Sequence, residues 1–241
     1  MKFGVKTYDN EDFLDYFLDK ADFFEVQAIR GKDYSFLQKF AGKIPMVIHA
    51  EHQGFGVNAA DSTLEKVNLE SINFAIKVAD LAKADYIVFH PGIINNKNCS
   101  IDNSIKFLKK IKDKRIILEN LPMHTKEIIS IGSKPEEMKK LMRETGFGFC
   151  FDINHSIEAA IFYNLDIKYL ILEFEKLNPK HYHLGGQKIK EKKTHLSLSE
   201  SDFDLLSYLK LLNKNAEITL ETTTDVNDVE EDLKSVKNFS R

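Results

Sequence analysis

Cysteine is scarce in this sequence, which also carries no strong net charge and no long apolar run. Its two cysteines among 241 residues, Cys99 and Cys150, are too few for a disulfide framework and lack zinc-finger spacing, which indicates a reducing compartment. A formal net charge of -3 excludes an overall attraction to nucleic acid or anionic membranes, although a local patch stays open. No run reaches the roughly 18 apolar residues of a membrane span, and the first residues contain no apolar signal-peptide segment. We therefore expect a cytoplasmic protein with no membrane partner.

The chain also lacks an internal linker and a phosphate-binding glycine loop. No stretch rich in proline, glycine and serine divides it, so we expect one domain over residues 1–241. Residues 7–10, after the first predicted strand, read Thr-Tyr-Asp-Asn. They lack the glycine-rich turn that usually follows the first strand of a doubly wound sheet. Hydrophobic residues make up 43% of the chain, which is enough for an ordinary globular core.

Short apolar runs alternate with helical patterns from one end of the chain to the other. The predicted strands are Lys2–Lys6, Phe23–Gln27, Met46–His49, Tyr86–His90, Ile116–Glu119, Phe147–Asp152, His181–Leu184 and Ile218–Glu221. A capping-box pattern at Ser62-x-x-Glu65 predicts one helix start, and apolar spacing through Leu209 predicts another helix from Asp202. Eight strands in units of about 30 residues predict an α/β fold, a single-domain (β/α)8 TIM barrel.

Six of the eight predicted strands end in a residue that can bind a metal ion. These residues are His49, His90, Glu119, Asp152, His183 and Glu221. The C-terminal ends of barrel strands meet on one rim, where catalytic groups are placed. One such residue is usually unremarkable, but carboxylates and imidazoles crowded on one rim repel or stay unsatisfied without a cation or a dense hydrogen-bond network. The set therefore predicts a site for zinc, manganese or a related divalent ion.

Side-chain alternation in the sixth predicted strand supports this placement. Within Phe147–Asp152, the three phenylalanines point toward covering helices, because successive side chains of a strand face opposite sides. Gly148, Cys150 and Asp152 then point into the barrel. The carboxylate thus occupies the inward position at the C-terminal end of the strand, where a ligand belongs.

Two further histidines, His155 and His195, follow predicted strand ends. His155 extends the ligand set in one interpretation and caps a helix beginning near Ser156 in the other. His195, taken alone, would be a solvated loop residue. Loop or supporting positions are assigned to the remaining histidines, which are His52, His124 and His181.

The order and spacing of these motifs resemble those of the endonuclease IV family. The motifs are His49, His90-Pro91-Gly92, Leu118-Glu119-Asn120, Asp152-x-x-His155, His183-Leu184, His195-x-x-Leu198 and Leu220-Glu221-Thr222. They cover about residues 44 to 223, and they are specific as a set although each is weak alone. Members of that family are barrel enzymes of the xylose-isomerase-like superfamily that cut DNA at abasic sites with a trinuclear zinc cluster.

The resemblance implies a function, a cofactor and a set of ligands. It implies a hydrolase that cleaves phosphodiester bonds at abasic sites in DNA with two or three zinc ions. The implied ligands of the first ion are His49, His90 and Glu119. Glu119 would bridge to a second ion, completed by Asp152, His183 and Glu221. A third ion would be held by His155 and His195, and the catalytic candidates are Glu119, Glu221 and Lys193.

Three departures from the family pattern leave the reaction open. Lys193-Thr194-His195 stands where the family has Asp-Arg-His, so the third ion site would be weak, absent or replaced by the Lys193 ammonium near a phosphate. The loop over residues 28–33 is short, and Glu25 supplies a carboxylate more typical of the sugar isomerases and epimerases of this superfamily. The basic stretch from Lys188 to Lys193 would attract either a DNA backbone or a sugar phosphate.

The alternative function is therefore a sugar or sugar-phosphate isomerase or epimerase that uses one Mn²⁺ or Mg²⁺. Such relatives share the ligands that correspond to Glu119, Asp152, His183 and Glu221. In this alternative, Glu119 and Glu221 would be the proton-transfer bases on a small sugar. The shared ligands do not discriminate between the two reactions. His49, His90 and His195 favour the nuclease, although some sugar-isomerase-like relatives also carry the two strand-end histidines. A barrel that binds a ligand without turnover is the third alternative.

Overall fold

The computed structural model of the chain describes residues 1–123 and 125–240, which contain twelve strands and seven α-helices. The strands are β1 (Lys2–Thr7), β2 (Phe23–Gln27), β3 (Met46–His49), β4 (Tyr86–Phe89), β5 (Ile93–Ile94), β6 (Ile116–Glu119), β7 (Ile129–Ser130), β8 (Gly148–Asp152), β9 (His181–Leu184), β10 (Gly186–Lys188), β11 (Lys193–Leu196) and β12 (Glu217–Leu220). The α-helices are α1 (Glu11–Phe17), α2 (Glu65–Ala82), α3 (Ile101–Leu108), α4 (Pro135–Thr145), α5 (Ile153–Tyr163), α6 (Ile167–Glu175) and α7 (Val226–Phe239). His124 lies outside the described residues, so its assignment stays a prediction. Within them, no helix combines the length and apolar character needed to cross a bilayer.

Eight of the strands close into a parallel barrel, in the order β1-β12-β9-β8-β6-β4-β3-β2. The predicted α/β class and (β/α)8 barrel are therefore confirmed. Four predicted strands match the observed bounds residue for residue, and the other four differ by one residue at one or both ends. Two of the predicted strand-end residues, His90 and Glu221, consequently lie just beyond β4 and β12. The pairs β5-β7 and β10-β11 are small antiparallel ribbons outside the barrel.

The space between strands and helices is filled by large apolar side chains. Phe149 and Phe151 of β8 lie on the outer face of the barrel, where their rings pack on Phe174 of α6 at centroid distances of 5.8 and 5.3 Å. All three rings are fully buried. Burial of such a side chain contributes about 1.5–3 kcal/mol each, so this contact fixes β8 against its helix. The outward direction predicted for these phenylalanines is confirmed.

The inside of the barrel is closed by a narrow apolar layer. Its buried members are Phe23, Val47, Val88, Ile117 and Cys150, one from each of five strands. They fill the interior below the C-terminal rim, in the manner of the packed layers of TIM barrels. This layer therefore separates polar groups at the C-terminal rim from solvent at the opposite end of the barrel. Both cysteines of the chain are buried and unpaired, as expected.

The start of α2 differs from the predicted capping box at Ser62. A short 3-10 turn covers Ser62–Leu64, and the α-helix begins at Glu65. The capping side chain is Asp61, whose Oδ1 accepts hydrogen bonds from the Thr63 backbone N–H and hydroxyl at 2.9 and 2.7 Å. The Ser62 hydroxyl instead lies 3.3 Å from the Asn98 carbonyl oxygen. The prediction was wrong because the preceding carboxylate takes the capping role.

The helix predicted from Asp202 is also different in the structure. The segment Leu205–Leu211 is a 3-10 helix, which follows an N-cap at Asp204. The Ser207 hydroxyl donates to the Asp204 carbonyl at 2.7 Å, and such local bonds compete with the backbone pattern of an α-helix. Leu205 and Leu209 are nevertheless buried. The apolar spacing predicted the burial of this segment but not its helix type.

Candidate metal centre

Each strand of the barrel supplies one ionisable side chain, at its end or just beyond it, to an inward-facing layer at the C-terminal rim. In chain order this rim layer consists of Lys6, Glu25, His49, His90, Glu119, Asp152, His183 and Glu221. Its members follow the apolar layer by two residues, as Glu119 follows Ile117, because alternate side chains of a strand share a face. With neutral imidazoles, four carboxylates face one ammonium. Such an excess of buried negative charge requires cations or protons to balance it.

Glu119 lies between two sets of imidazoles in the rim layer. Its Oε2 lies 3.1 Å from His49 Nε2 and 3.0 Å from His90 Nε2. Its Oε1 lies 3.3 Å from His155 Nδ1 and 3.5 Å from His183 Nδ1. The two oxygens therefore have different neighbours. That is the geometry by which one carboxylate can serve two ions.

The hydrogen bonds of His49 indicate that a cation fits beside Glu119. His49 Nδ1 lies 2.7 Å from the Ala50 carbonyl oxygen, so Nδ1 carries a hydrogen and donates it. Burial, and then the charge of Lys6, lowers the pKa of His49, so its ring is neutral at pH 7 and Nε2 has a lone pair. That lone pair faces the Glu119 carboxylate at 3.1 Å. Two acceptors at this distance repel each other unless a cation lies between them.

His90 repeats the arrangement on the neighbouring strand. Its Nδ1 lies 3.2 Å from Gln53 Oε1, and its Nε2 faces the same Glu119 oxygen as His49. His52 stacks on His90 with ring centroids 5.2 Å apart, which further fixes the ring. His49, His90 and Glu119 each offer one ligand atom, and these three atoms lie within 4.8 Å of one another. These three residues can hold one ion.

A second trio consists of Glu119, Asp152 and His155, whose ligand atoms also lie within 4.8 Å of one another. Asp152 is the N-cap of α5, and its Oδ1 accepts a hydrogen bond from the His155 backbone N–H at 2.7 Å. The alternative in which His155 caps a helix near Ser156 is therefore wrong, because the carboxylate takes that role and α5 begins at Ile153. His155 Nδ1 donates to the Asn120 carbonyl oxygen at 2.8 Å.

His183 is oriented from one side by Glu25. Its Nε2 lies 3.0 Å from Glu25 Oε2, and its Nδ1 lies 3.1 Å from Glu221 Oε1. Histidine ligands commonly donate their second ring N–H to a carboxylate, which fixes the tautomer. Within the described residues, the buried Nδ1 makes no aligned hydrogen bond and thus suits a ligand role. Glu25, His49, His183 and Glu221 form a third group with ligand atoms within 4.8 Å.

The pKa values of two imidazoles in this centre are raised, which favours their protonated forms when no ion is bound. Burial opposes the charge of His155, but Asp152 and Glu119 outweigh it and raise its pKa to about 10. Burial likewise opposes the charge of His183, but Cys150 and then the carboxylates of Glu221, Glu25 and Glu119 raise its pKa well above the usual range. Asp152 differs, because burial raises its pKa to about 6 despite the His155 charge. Protons on these rings therefore balance part of the carboxylate charge.

We predict that zinc binding releases protons at pH 7. A ring nitrogen must lose its proton before it binds a metal ion, so His155 and His183 would together release about two protons per chain. Titration calorimetry in buffers with different ionisation enthalpies measures this number directly. Zinc affinity should also increase as the pH rises toward the pKa of His155. A binding enthalpy that does not depend on the buffer contradicts the prediction.

His195 reaches the centre from the ribbon β10-β11. Its Nδ1 lies 3.2 Å from the Glu221 carbonyl oxygen, and its side chain is 55% exposed. The residue has a φ of 56°, in the left-handed region. Gly185 permits the close approach, because a Cβ there would lie 2.5 Å from the Glu221 carbonyl oxygen. His195 and His155 line one small recess beside Asp152.

The structure does not bring Lys193 into this recess. Its side chain is 59% exposed and pairs with Glu191 at 2.7 Å. Lys188, in the same basic stretch, lies 3.7 Å from Glu200. The Lys193 ammonium is thus on the outside of the ribbon, where only a substrate that extends over the ribbon would meet it. Its catalytic role and its place at a third ion remain predictions without support from this geometry.

Three further residues lie at the centre although the strand-end pattern does not predict them: Lys6, His52 and Gln53. A cavity of about 240 Å³ opens over the rim layer, and all three residues line it together with Tyr8. Lys6 ends a predicted strand just as His49 does, and alternation after Gly4 points it inward. Lysine is not an ordinary metal ligand, so a search restricted to ligands passes over it. His52 and Gln53 lie in a loop, where the sequence gives no direction to a side chain.

Residues 31–239 match the family model described as xylose isomerase-like TIM barrel. The chain belongs to this family. The match confirms the superfamily that the motifs indicated, and it covers every metal-ligand candidate. It does not extend to Lys6 or Glu25.

Known relatives of this xylose isomerase-like barrel include proteins of more than one function. A protein of Sulfurihydrogenibium sp. (strain YO3AOP1) named probable endonuclease 4 is 24% identical over an alignment of 199 residues, and the match covers 68% of this chain and 70% of that protein. A D-tagatose 3-epimerase-like protein has a TM-score of 0.77 at 19% identity, over 99% of this chain and 97% of its own. Endonuclease IV from Thermus thermophilus has a TM-score of 0.74 at 16% identity, over 99% of this chain and 98% of its own. The structural likenesses establish the fold alone.

Proposed function

We propose that the chain is a metal-dependent hydrolase that cleaves phosphodiester bonds at abasic sites in DNA. The observation that carries the proposal is the pair of imidazoles, His49 and His90, both directed at Glu119 Oε2. A one-ion isomerase would use the group around Glu119 Oε1, whereas a two-ion hydrolase also needs the ligands that face Oε2. The sequence similarity to a protein named probable endonuclease 4 supports the same choice.

The residues divide into two ligand sets that share Glu119. His49, His90 and Glu119 Oε2 would hold one ion, and Glu119 Oε1 would join Asp152, His183 and Glu221 at the other. Zinc ions bound there would supply a hydroxide nucleophile, a clamp on the phosphate and a charge to stabilise the leaving oxygen. The further ligand His155 lies at the edge of the second set, next to His195.

The remaining side chains of the cavity would bind and orient the substrate. Burial is the main cause that lowers the pKa of His52 to about 2, so this ring is neutral at pH 7 and cannot serve as a general acid. It would act as a flat wall beside His90. Tyr8 is 47% exposed and lines the cavity together with Thr224, whose hydroxyl can donate to a phosphate oxygen. A cavity of about 240 Å³ suits one sugar-phosphate unit rather than a duplex.

A sugar epimerase or isomerase is the second candidate. Glu119 and Glu221 both line the same cavity, so a small sugar there could contact two carboxylates. The structural similarity to a D-tagatose 3-epimerase-like protein is consistent with this candidate through the fold alone. The two candidates differ in the need for His49 and His90. Removal of these imidazoles would abolish the nuclease and spare an epimerase.

We predict that the zinc-loaded protein incises a duplex that contains one tetrahydrofuran abasic analogue. The expected product, resolved on a denaturing gel, is a single cut at the analogue. The same duplex with a normal base at that position should stay intact, and EDTA should stop the reaction. Absence of incision with zinc or manganese over a range of salt concentrations would contradict the proposal. Exchange of a ketohexose C–H proton with deuterated solvent would instead support the epimerase.

A further inference from the structure

Lys6 places a cation of the chain itself inside the rim layer. Its Nζ lies 2.9 Å from Glu25 Oε1 and in close contact with Glu221 Oε1. Only 15% of the side chain is exposed. Glu25 and Glu221 are both buried, so the ammonium faces two carboxylates with little solvent between them. The ammonium is thus a fixed part of the centre.

The contacts of Lys6 fall within one of the three groups of possible ligands. Glu25 and Glu221 belong to the group completed by His49 and His183, whose ligand atoms lie within 4.8 Å of one another. The ammonium bonds to both carboxylates of that group. A dication placed among the same atoms would meet a like charge a few ångströms away, in surroundings of low dielectric constant. The two cations therefore compete for one position.

Neither oxygen of Glu25 is open to an ion while Lys6 is in place. Its Oε1 contacts Lys6, and its Oε2 accepts from the Thr219 hydroxyl at 2.8 Å. The same Oε2 lies 3.1 Å from His181 Nε2 and 3.0 Å from His183 Nε2. Glu25 is fully buried, and apart from the ion pair with Lys6 its Oε1 makes no hydrogen bond among the described residues. It orients the imidazoles and the ammonium rather than a metal.

We propose that Lys6 is a resident cation that takes the place of an ion between Glu25 and Glu221 and limits the centre to two exchangeable metal ions. Lys6 is then a positioning residue, because it fixes Glu221 Oε1 on the side that faces His183. This proposal depends on the metal centre of the proposed function but not on its substrate. The sequence suggested that the Lys193 ammonium replaces an ion. In this proposal the lysine that does so is Lys6, on β1, because Lys193 is exposed.

The test is the zinc content of Lys6→Met, which keeps the length and volume of the side chain without its charge. The count is made by mass spectrometry of the metal after equilibration with zinc, and by calorimetric titration. Wild type is expected to bind two zinc ions, and Lys6→Met three, since Glu25 and Glu221 become available. Lys6→Arg keeps the charge and should bind two. Lys2→Met is the matched control, because Lys2 lies at the other end of β1 and pairs with Glu217 at the surface.

Each outcome decides the proposal. An unchanged count in folded Lys6→Met overturns it, as does a wild-type chain that binds three ions at saturation. If Lys6→Met does not fold, the wild-type count and Lys6→Arg remain: two ions in both support the proposal, and three in either overturn it. The count is independent of DNA incision. Failure of the nuclease assay with two bound ions would therefore reject the substrate and leave the role of Lys6 intact.

Discussion

Replacing Glu119 with glutamine is expected to empty both ion sites at once. Glu119 Oε2 faces His49 and His90, and Oε1 faces His155 and His183, so a single substitution removes the negative charge from both ligand sets. Loss of an outer partner of a metal ligand typically reduces metal affinity or activity by 10–100-fold, and loss of a ligand shared by two ions should reduce turnover by more than that. Metal content measured after dialysis should fall below one ion per chain.

A matched control for this substitution is Glu51→Gln. Glu51 is a buried glutamate two residues after His49, and it pairs with Arg30 at 2.6 Å instead of facing the centre. Its substitution should lower stability but keep the metal content and most of the turnover. Retention of two ions in folded Glu119→Gln would show that Glu119 is not the shared ligand. Equal metal loss in both variants would point to a general loss of structure.

The second large effect is expected on stability, from Glu25→Gln. Glu25 is fully buried against Lys6, His181, His183 and Thr219. Removal of one partner from a buried ionic group leaves the others uncompensated and typically costs about 3–5 kcal/mol. The free energy of unfolding, measured by urea titration in EDTA, should fall by that amount. The matched control is Glu217→Gln, the same substitution on another strand of the barrel. Glu217 pairs with Lys2 at the surface, and this pair should contribute less than about 1 kcal/mol to stability.

The effect of Glu25→Gln should depend on pH in a defined direction. Burial opposes ionisation of Glu25, yet His183 and Lys6 hold its pKa well below the usual value of 4.5. A depressed pKa stabilises the folded state above the unfolded value, and this contribution is lost as the pH falls through the folded pKa. The difference between wild type and variant should therefore be constant above about pH 5 and shrink below it. A difference that grows toward acid pH would contradict this role of Glu25.

The fold and most of the rim layer follow from the sequence because a barrel strand leaves few choices. A short apolar run that ends in a histidine or carboxylate sets the strand end, and alternation sets the direction of the side chain. Asp152 illustrates this, since Cys150 two residues earlier lies inside the barrel as predicted. Spacing and order then identify the family without any knowledge of distances.

The parts that the sequence did not predict depend on contacts between distant elements. Glu25 meets Lys6 and His181 only because β1, β2 and β9 close on one another, and no local pattern predicts such a charge balance. Capping choices failed for a similar reason. Asp152 and not His155 is the N-cap of α5, and Asp61 and not Ser62 is the N-cap of the turn before α2. Lys193 was aligned by motif, but its side chain is exposed and pairs with Glu191.

Anomalous X-ray scattering at the zinc edge, from crystals of the zinc-loaded protein, tests the shared Glu119 most directly. We predict two peaks about 3.5–4 Å apart, each about 2.0–2.2 Å from a different oxygen of Glu119. One peak should also contact His49 and His90, and the other should contact Asp152. The Lys6 ammonium should still lie between Glu25 and Glu221. A single peak on one oxygen of Glu119, or zinc bound elsewhere with none at Glu119, would contradict a two-ion centre.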